Sequence, residues 1–113
     1  MILYGISNCD TVKKAKTWLE TPNIDNSFHD FRKQGLETET INDWLKTVAW
    51  DKILNKRSTS WRNLEPEAQQ SVNSENIVAL LVKNPTLIKR PVLVVNDTIT
   101  IGFNSDIYQG IFN

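Results

Sequence analysis

Only one of the 113 residues is a cysteine and only one is a histidine. A single thiol excludes an internal disulfide framework, a cysteine-only zinc site and any two-cysteine redox cycle within one chain. A single histidine excludes a multi-histidine metal centre, and Cys9 with His29 cannot close a site of their own, so no metal is expected. Charge of one sign is missing too, since thirteen basic residues balance thirteen acidic ones. That balance argues against a broad footprint for nucleic acid or an anionic membrane, and leaves room only for a local basic pocket. The four tryptophans, Trp18, Trp44, Trp50 and Trp61, lack the basic groove that a nucleic-acid stacking platform needs, and read as packing residues. No apolar run approaches the length of a membrane span. The first residues do not show the basic, apolar and small-residue regions of a signal peptide, so the expected compartment is the cytoplasm, where a lone thiol stays reduced.

What is present is an ordinary globular mixture, 40% hydrophobic and 23% charged, of a length that fits one domain with one core. Met1 to Tyr4 is a short apolar run closed by Gly5, the pattern of a buried strand. Val12, Ala15, Trp18 and Leu19 then recur at helical spacing, predicting an amphipathic helix that starts near Cys9 and stops before Pro22. Asp10 falls in its first turn, where the helix dipole favours an anion. Ile24, Phe28 and Phe31 predict a second strand, with His29 near its end as a surface or packing residue.

From Gln34 to Thr86 the pattern is helical. Thr38 or Thr40 is suited to cap a helix carrying Ile41, Trp44, Leu45 and Val48. Trp50, Ile53 and Leu54 fit a short helix, and Asn55 to Ser60 form a polar loop. Pro66 can open another helix, and Ser74 can cap one that runs through Leu81 and ends before Pro85. Strands return with Pro91 to Val95, a turn at Asn96-Asp97, and Thr98 to Ile101, a hairpin pattern. Ser105 or Asp106 is placed to cap a last short helix. The expected architecture is α/β. It has a β-α-β part over residues 1–33, a helical insertion over 34–86 and a β-β-α part over 87–113. Together these give one thioredoxin-like domain with a mixed four-stranded sheet.

Cys9 lies where strand one passes into the first helix. Unpaired N–H groups and the positive end of the helix dipole stabilise a thiolate there, and the thiolate is the nucleophile. Most lone cysteines are instead small apolar packing residues. Position alone leaves both readings open. Arg90-Pro91 opens the third strand, the one strand position at which proline loses no ladder hydrogen bond. Arg57 sits in the polar loop and is, by default, a solvated arginine.

Four separated segments carry a resemblance. Tyr4-Gly5-Ile6-Ser7-Asn8-Cys9-Asp10-Thr11-Val12-Lys13-Lys14-Ala15 closely resembles the opening of the arsenate reductase (ArsC)-like family, in its YffB-like branch near Spx and MgsR. Leu54-Asn55-Lys56-Arg57-Ser58-Thr59-Ser60-Trp61-Arg62, Pro85-Thr86-Leu87-Ile88-Lys89-Arg90-Pro91-Val92-Leu93 and Ile101-Gly102-Phe103 resemble later motifs of that branch, in the same order. The resemblance implies that Cys9 is the nucleophile, and that Arg57 and Arg90 surround it and hold an oxyanion. It also implies that Pro91 is cis, and that Asn8, Asp10, Thr11 and Pro91 help bind substrate or glutathione. Guanidinium groups suit that task because they stay charged and offer paired N–H donors to an anion.

Family members with one cysteine pass their disulfide to glutathione or glutaredoxin, so glutathione is the cosubstrate that the resemblance implies. A monomer is expected. Two departures sharpen this. A third anion-binding arginine of the arsenate reductases has no counterpart in Ile101 to Asp106, which argues against arsenate. Val12 stands where Spx regulators carry a second cysteine, which excludes sensing through an internal disulfide. The expected activity is therefore a glutathione-dependent thiol reductase. The alternative is an Spx-like adaptor that binds the RNA polymerase α subunit without catalysis, followed by an inert relative in which Cys9 is structural.

Overall fold

The computed structural model describes residues 1–20 and 25–112. It divides into two compact units, one of Met1–Gln34 with Arg90–Asn113 and the other of Gly35–Lys89. The first unit holds the sheet. Its strands are β1 (Ile2–Gly5), β2 (Ser27–Asp30), β3 (Val92–Val95) and β4 (Thr98–Ile101), in the spatial order β2-β1-β3-β4. β1 pairs parallel to β2 and antiparallel to β3, and β3 pairs antiparallel to β4, giving the expected mixed sheet. The β3–β4 turn works because Asn96 takes φ 53°, a left-handed conformation that asparagine tolerates.

Side chains alternate along strands, so Leu3 and Leu93, which are register partners, face the same way. Helix α1 (Asp10–Glu20) and helix α8 (Ser105–Phe112) supply Ala15, Leu19 and Tyr108 to the core cluster on that face. Trp18 meets Tyr108 edge-on at 5.5 Å and Phe103 meets it edge-on at 4.9 Å, an arrangement that aromatic quadrupoles favour. The Tyr108 hydroxyl is buried with no hydrogen-bond partner among the described residues, and burial pushes its ionisation above the ordinary tyrosine range.

Several local expectations are corrected. The segment carrying Phe31 leaves the sheet at Asp30, and Phe31 begins a four-residue helix α2 (Phe31–Gln34); Ile24 and Pro22 lie outside the described residues. The reason is the Asp30 carboxylate, which accepts from the Arg32 and Lys33 N–H groups and so starts a helix where alternation pointed to more strand. The cap of α8 is Asn104, whose Oδ1 accepts from the Asp106 and Ile107 N–H groups, rather than Ser105 or Asp106. β3 begins at Val92 because Pro91 has no N–H to give the ladder.

The second unit is helical. It contains α3 (Thr38–Leu45), α4 (Trp50–Ile53), α5 (Thr59–Arg62), α6 (Pro66–Ser71), α7 (Ile77–Lys83) and a 3-10 turn at Pro85–Leu87. Ile41, Trp44, Ile53, Leu54, Ile77, Leu81, Leu87 and Ile88 are buried in it. α3 starts at Thr38, so neither Thr38 nor Thr40 is its cap; Glu37 stands at the N-cap and makes no side-chain bond. Asn73 and Asn76, not Ser74, satisfy the backbone ahead of α7. Pro66 does open α6. Among the described residues no helix is long and apolar enough to cross a membrane.

α1 approaches β1 closely because residue 5 has no side chain. A Cβ at Gly5 would lie 2.7 Å from Val12 Cγ2, below any real carbon contact. Gly5→Ala is expected to cost about 1–3 kcal/mol through overpacking, read as a fall in Tm. Adding Val12→Ala should cost less than the sum of the two single losses, the sign of a shared contact. Equal stability of Gly5→Ala and wild type would show that α1 has room to move. Tyr108→Phe should leave Tm unchanged or raise it, because the lost hydroxyl gives up no hydrogen bond.

Candidate active site

Cys9 is placed by a short turn. β1 ends at Gly5, and the Cys9 N–H donates to the Ile6 carbonyl at 3.1 Å, closing a β-turn over Ile6, Ser7, Asn8 and Cys9. The Cys9 carbonyl accepts the Lys13 N–H at 3.0 Å, the first bond of α1. Cys9 is thus the N-cap residue of α1. The N–H groups of Asp10, Thr11 and Val12 have no acceptor within the helix, and the helix dipole presents its positive end there. The thiol is free and half-buried, whereas Asn8, Asp10 and Thr11 are exposed. This arrangement can bind and stabilise an anion, whether a thiolate or a substrate group.

The turn is gripped from the neighbouring strand by Asp30, a residue that the hydrophobic pattern did not single out. Asp30 is the register partner of Gly5 and is buried at 5% exposure. Its Oδ2 accepts the Ser7 N–H at 3.3 Å, while its Oδ1 accepts the Arg32 N–H at 2.8 Å and the Lys33 N–H at 3.3 Å. The Asp30 N–H in turn donates to Gln34 Oε1 at 3.0 Å, a reciprocal cap of α2. Burial alone would push the carboxyl up. The donors from Arg32, Ser7 and Lys33, with the Ser7 hydroxyl, outweigh it and hold the group below the ordinary aspartate range. The signal available in the sequence was the Asp30 to Gln34 spacing directly after a strand pattern.

Arg90-Pro91 is a cis peptide. β1 and β3 pair Tyr4 with Val92, so one further step of the register puts Pro91 beside Gly5, at the end of the sheet where the Cys9 turn begins. Pro91 is buried, and its carbonyl accepts the Gly102 N–H at 2.8 Å. Gly102 takes φ 81°, which turns the chain from β4 toward Phe103. Arg90 is half-buried and engaged by other groups.

Arg57 belongs to the helical unit, where its own surroundings are well ordered. Leu54 bridges to Ile88, the Asn55 N–H donates to the Leu87 carbonyl at 2.7 Å, and the Lys89 N–H donates to the Ile53 carbonyl at 2.8 Å. From this ribbon the loop leaves through Asn55, whose Oδ1 accepts the Arg57 N–H at 3.0 Å. Ser58 then caps α5 by accepting the Trp61 N–H at 3.1 Å. The polar stretch is thus an Asx turn feeding a capped helix, and it leaves the Arg57 side chain exposed. Among the described residues no three acidic, histidine or cysteine side chains cluster as a metal site would require.

Comparison with known proteins places these features. The model of the ArsC family matches residues 4–111. An uncharacterized protein of Haemophilus influenzae is 44% identical over 97% of this chain and 96% of its own length. The regulatory protein MgsR of Bacillus subtilis is 33% identical over 92% of this chain and 83% of its own. The solved structure of a YffB protein superposes with a TM-score of 0.92 at 34% identity, over 96% of both chains. The fold is therefore thioredoxin-like, with the sheet order and the cis proline in place.

Asp30 makes stability depend on acid. Because its folded carboxyl titrates lower than an unfolded one, its contribution is complete above about pH 4 and is lost as the pH falls through the folded value. Asp30→Asn is expected to cost about 1.5–3 kcal/mol at pH 7, the worth of hydrogen bonds to a charged group. Urea unfolding at pH 7 and pH 3 should show the gap between wild type and variant closing in acid. A gap independent of pH would mean that the carboxylate charge contributes nothing.

Proposed function

Because the chain belongs to the ArsC family, we propose that it is a glutathione-dependent thiol reductase of the cytoplasm, with Cys9 as its only redox centre. The observation that carries this reading is the place of Cys9: a half-buried thiol on the N-cap residue of α1, the end of the helix whose first N–H groups have no acceptor within it. A thiolate formed there attacks the sulfur of a mixed disulfide between glutathione and a substrate thiol. The new bond joins Cys9 Sγ to the glutathione sulfur, and the substrate leaves as its thiolate. A second glutathione thiolate, from solution, then attacks the glutathione sulfur. It leaves as glutathione disulfide and restores the Cys9 thiolate. The net reaction converts the mixed disulfide and one glutathione thiol into glutathione disulfide and the free substrate thiol, oxidising one glutathione as the substrate sulfur is reduced, so no second protein cysteine is required.

In this reading Arg57 and Arg90 hold the glutathione carboxylates, and Asn8, Asp10, Thr11 and Pro91 line the peptide. The roles of both arginines rest on the family motifs in which they stand. Glutaredoxin can replace glutathione as the resolving thiol, since it delivers the same attacking group. Arsenate is not the substrate that this residue set favours, because no arginine follows β4 before α8.

The reading is tested by mass spectrometry of Cys9 after exposure to glutathione disulfide, followed by a turnover assay with glutathione. One glutathione adduct is expected in wild type and none in Cys9→Ser. Arg57→Ala and Arg90→Ala should each lower kcat/KM about tenfold or more, as for a lost charge-assisted contact. A Cys9 that forms no adduct sinks the enzyme reading. The likeness to MgsR, a regulatory protein by name, favours the adaptor as the second reading. Capture of the RNA polymerase α subunit that survives Cys9→Ser would establish it.

A further inference from the structure

We propose that Asp30 is a positioning residue for Cys9, acting through the Ser7 N–H to hold the Ile6–Cys9 turn in the geometry that thiol–disulfide exchange requires. The inference rests on the thiol-reductase reading above. Its basis is the division of labour between the two carboxylate oxygens. Oδ1 accepts the α2 N–H groups of Arg32 and Lys33, while Oδ2 reaches across to the Ser7 N–H, and the Ser7 hydroxyl also bonds the carboxylate. Ser7 is the second residue of the turn whose fourth residue is Cys9. A residue needed only to start α2 would use the α2 donors alone. Here a buried charge is also spent on the one turn that carries the thiol.

The other end of the same grip is equally fixed. Asp30 is the last residue of β2 and the register partner of Gly5, so its backbone is held by the sheet. Its N–H donates to Gln34 Oε1, and the three N–H groups that its carboxylate accepts fix the side chain. Gly5, immediately before the turn, admits Val12 of α1 at close range. The turn between them is therefore clamped by a helix contact before it and a carboxylate beneath it. Exchange with a disulfide needs near in-line approach of the attacking sulfur to two others, and small displacements of a nucleophile are costly to such steps. Alkylation by a small reagent makes no such demand and reports the thiolate and its access only.

The test uses that difference. Asp30→Asn keeps one carbonyl oxygen for α2 and turns an amide N–H₂ toward Ser7, donor against donor. Ser7→Pro removes the Ser7 N–H and hydroxyl at a turn position that proline suits, and leaves Asp30 intact. In the full chain, the rate of Cys9 adduct formation with glutathione disulfide should fall about tenfold or more in both variants, a misplacement effect. Iodoacetamide should alkylate Cys9 at the wild-type rate in both. Equal rates with glutathione disulfide in wild type and variants overturn the inference. Parallel slowing with both reagents overturns it too, since that would mark a change in the thiolate and not in its placement. Slowing in Asp30→Asn without slowing in Ser7→Pro assigns the effect to charge and rejects the link. A wild-type protein that ignores glutathione disulfide but accepts iodoacetamide overturns the reductase reading, and this inference falls with it.

Discussion

The contact on which the first unit depends is the approach of α1 to the end of β1. Only a residue without a side chain allows Val12 to come so close to the strand. That approach keeps the connection down to a single β-turn, Ile6 to Cys9, with no loop to spare. A turn so short forces the helix to begin immediately after it, and forces Cys9 onto the N-cap. The electrostatic setting of the thiol is thus a result of packing several residues away. A bulkier residue 5 would push α1 outward, lengthen the turn, and separate the thiol from the helix donors. The glycine and the cysteine are four positions apart in sequence and one mechanical unit in the fold.

Against that background Asp30 resolves a second problem. The turn leaves the Ser7 N–H without a partner inside the turn, and the buried Asp30 carboxylate supplies one. The strand beside it ends in a carboxylate with acceptor capacity to spare. Asp30 satisfies Ser7, starts α2 and is itself held by Gln34. Desolvation works against the buried charge, and the array of N–H donors outweighs it. One ionised group therefore ends a strand, begins a helix and secures a neighbouring turn.

Most of the architecture was legible in the sequence because it follows periodicity. The β1 run and Val92-Leu93 of the hairpin are continuous buried apolar stretches, Val12, Ala15 and Leu19 share one buried helix face, and both patterns are readable. What was not legible depends on single polar atoms. Phe31 continues an apolar pattern and gives no sign that Asp30 has already turned the chain. Asn104, Asn73 and Asn76 displaced the expected serine caps, because several residues near a helix start are chemically able to cap and geometry alone selects one. The site divides in the same way. Cys9 and Pro91 could be placed from the strand-to-helix junction and the strand entry. Asp30 is easily passed over despite its spacing to Gln34, since a lone aspartate after a strand is usually a solvated end.

The single thiol has a further physical consequence. An enzyme with two cysteines resolves its mixed disulfide internally, so the second thiol is present at high effective concentration and only its exposure needs control. In the proposed reaction, with one cysteine, the resolving thiol arrives from solution and attacks the glutathione sulfur, not Cys9 Sγ. Attack on Sγ would merely exchange one adduct for another. A rigid turn serves that choice. Cys9, free and half-buried, is held at the N-cap by that turn. In that proposed reaction the direction of attack depends on the placement of Cys9, so the groups that hold the turn would share in the chemistry with the thiol.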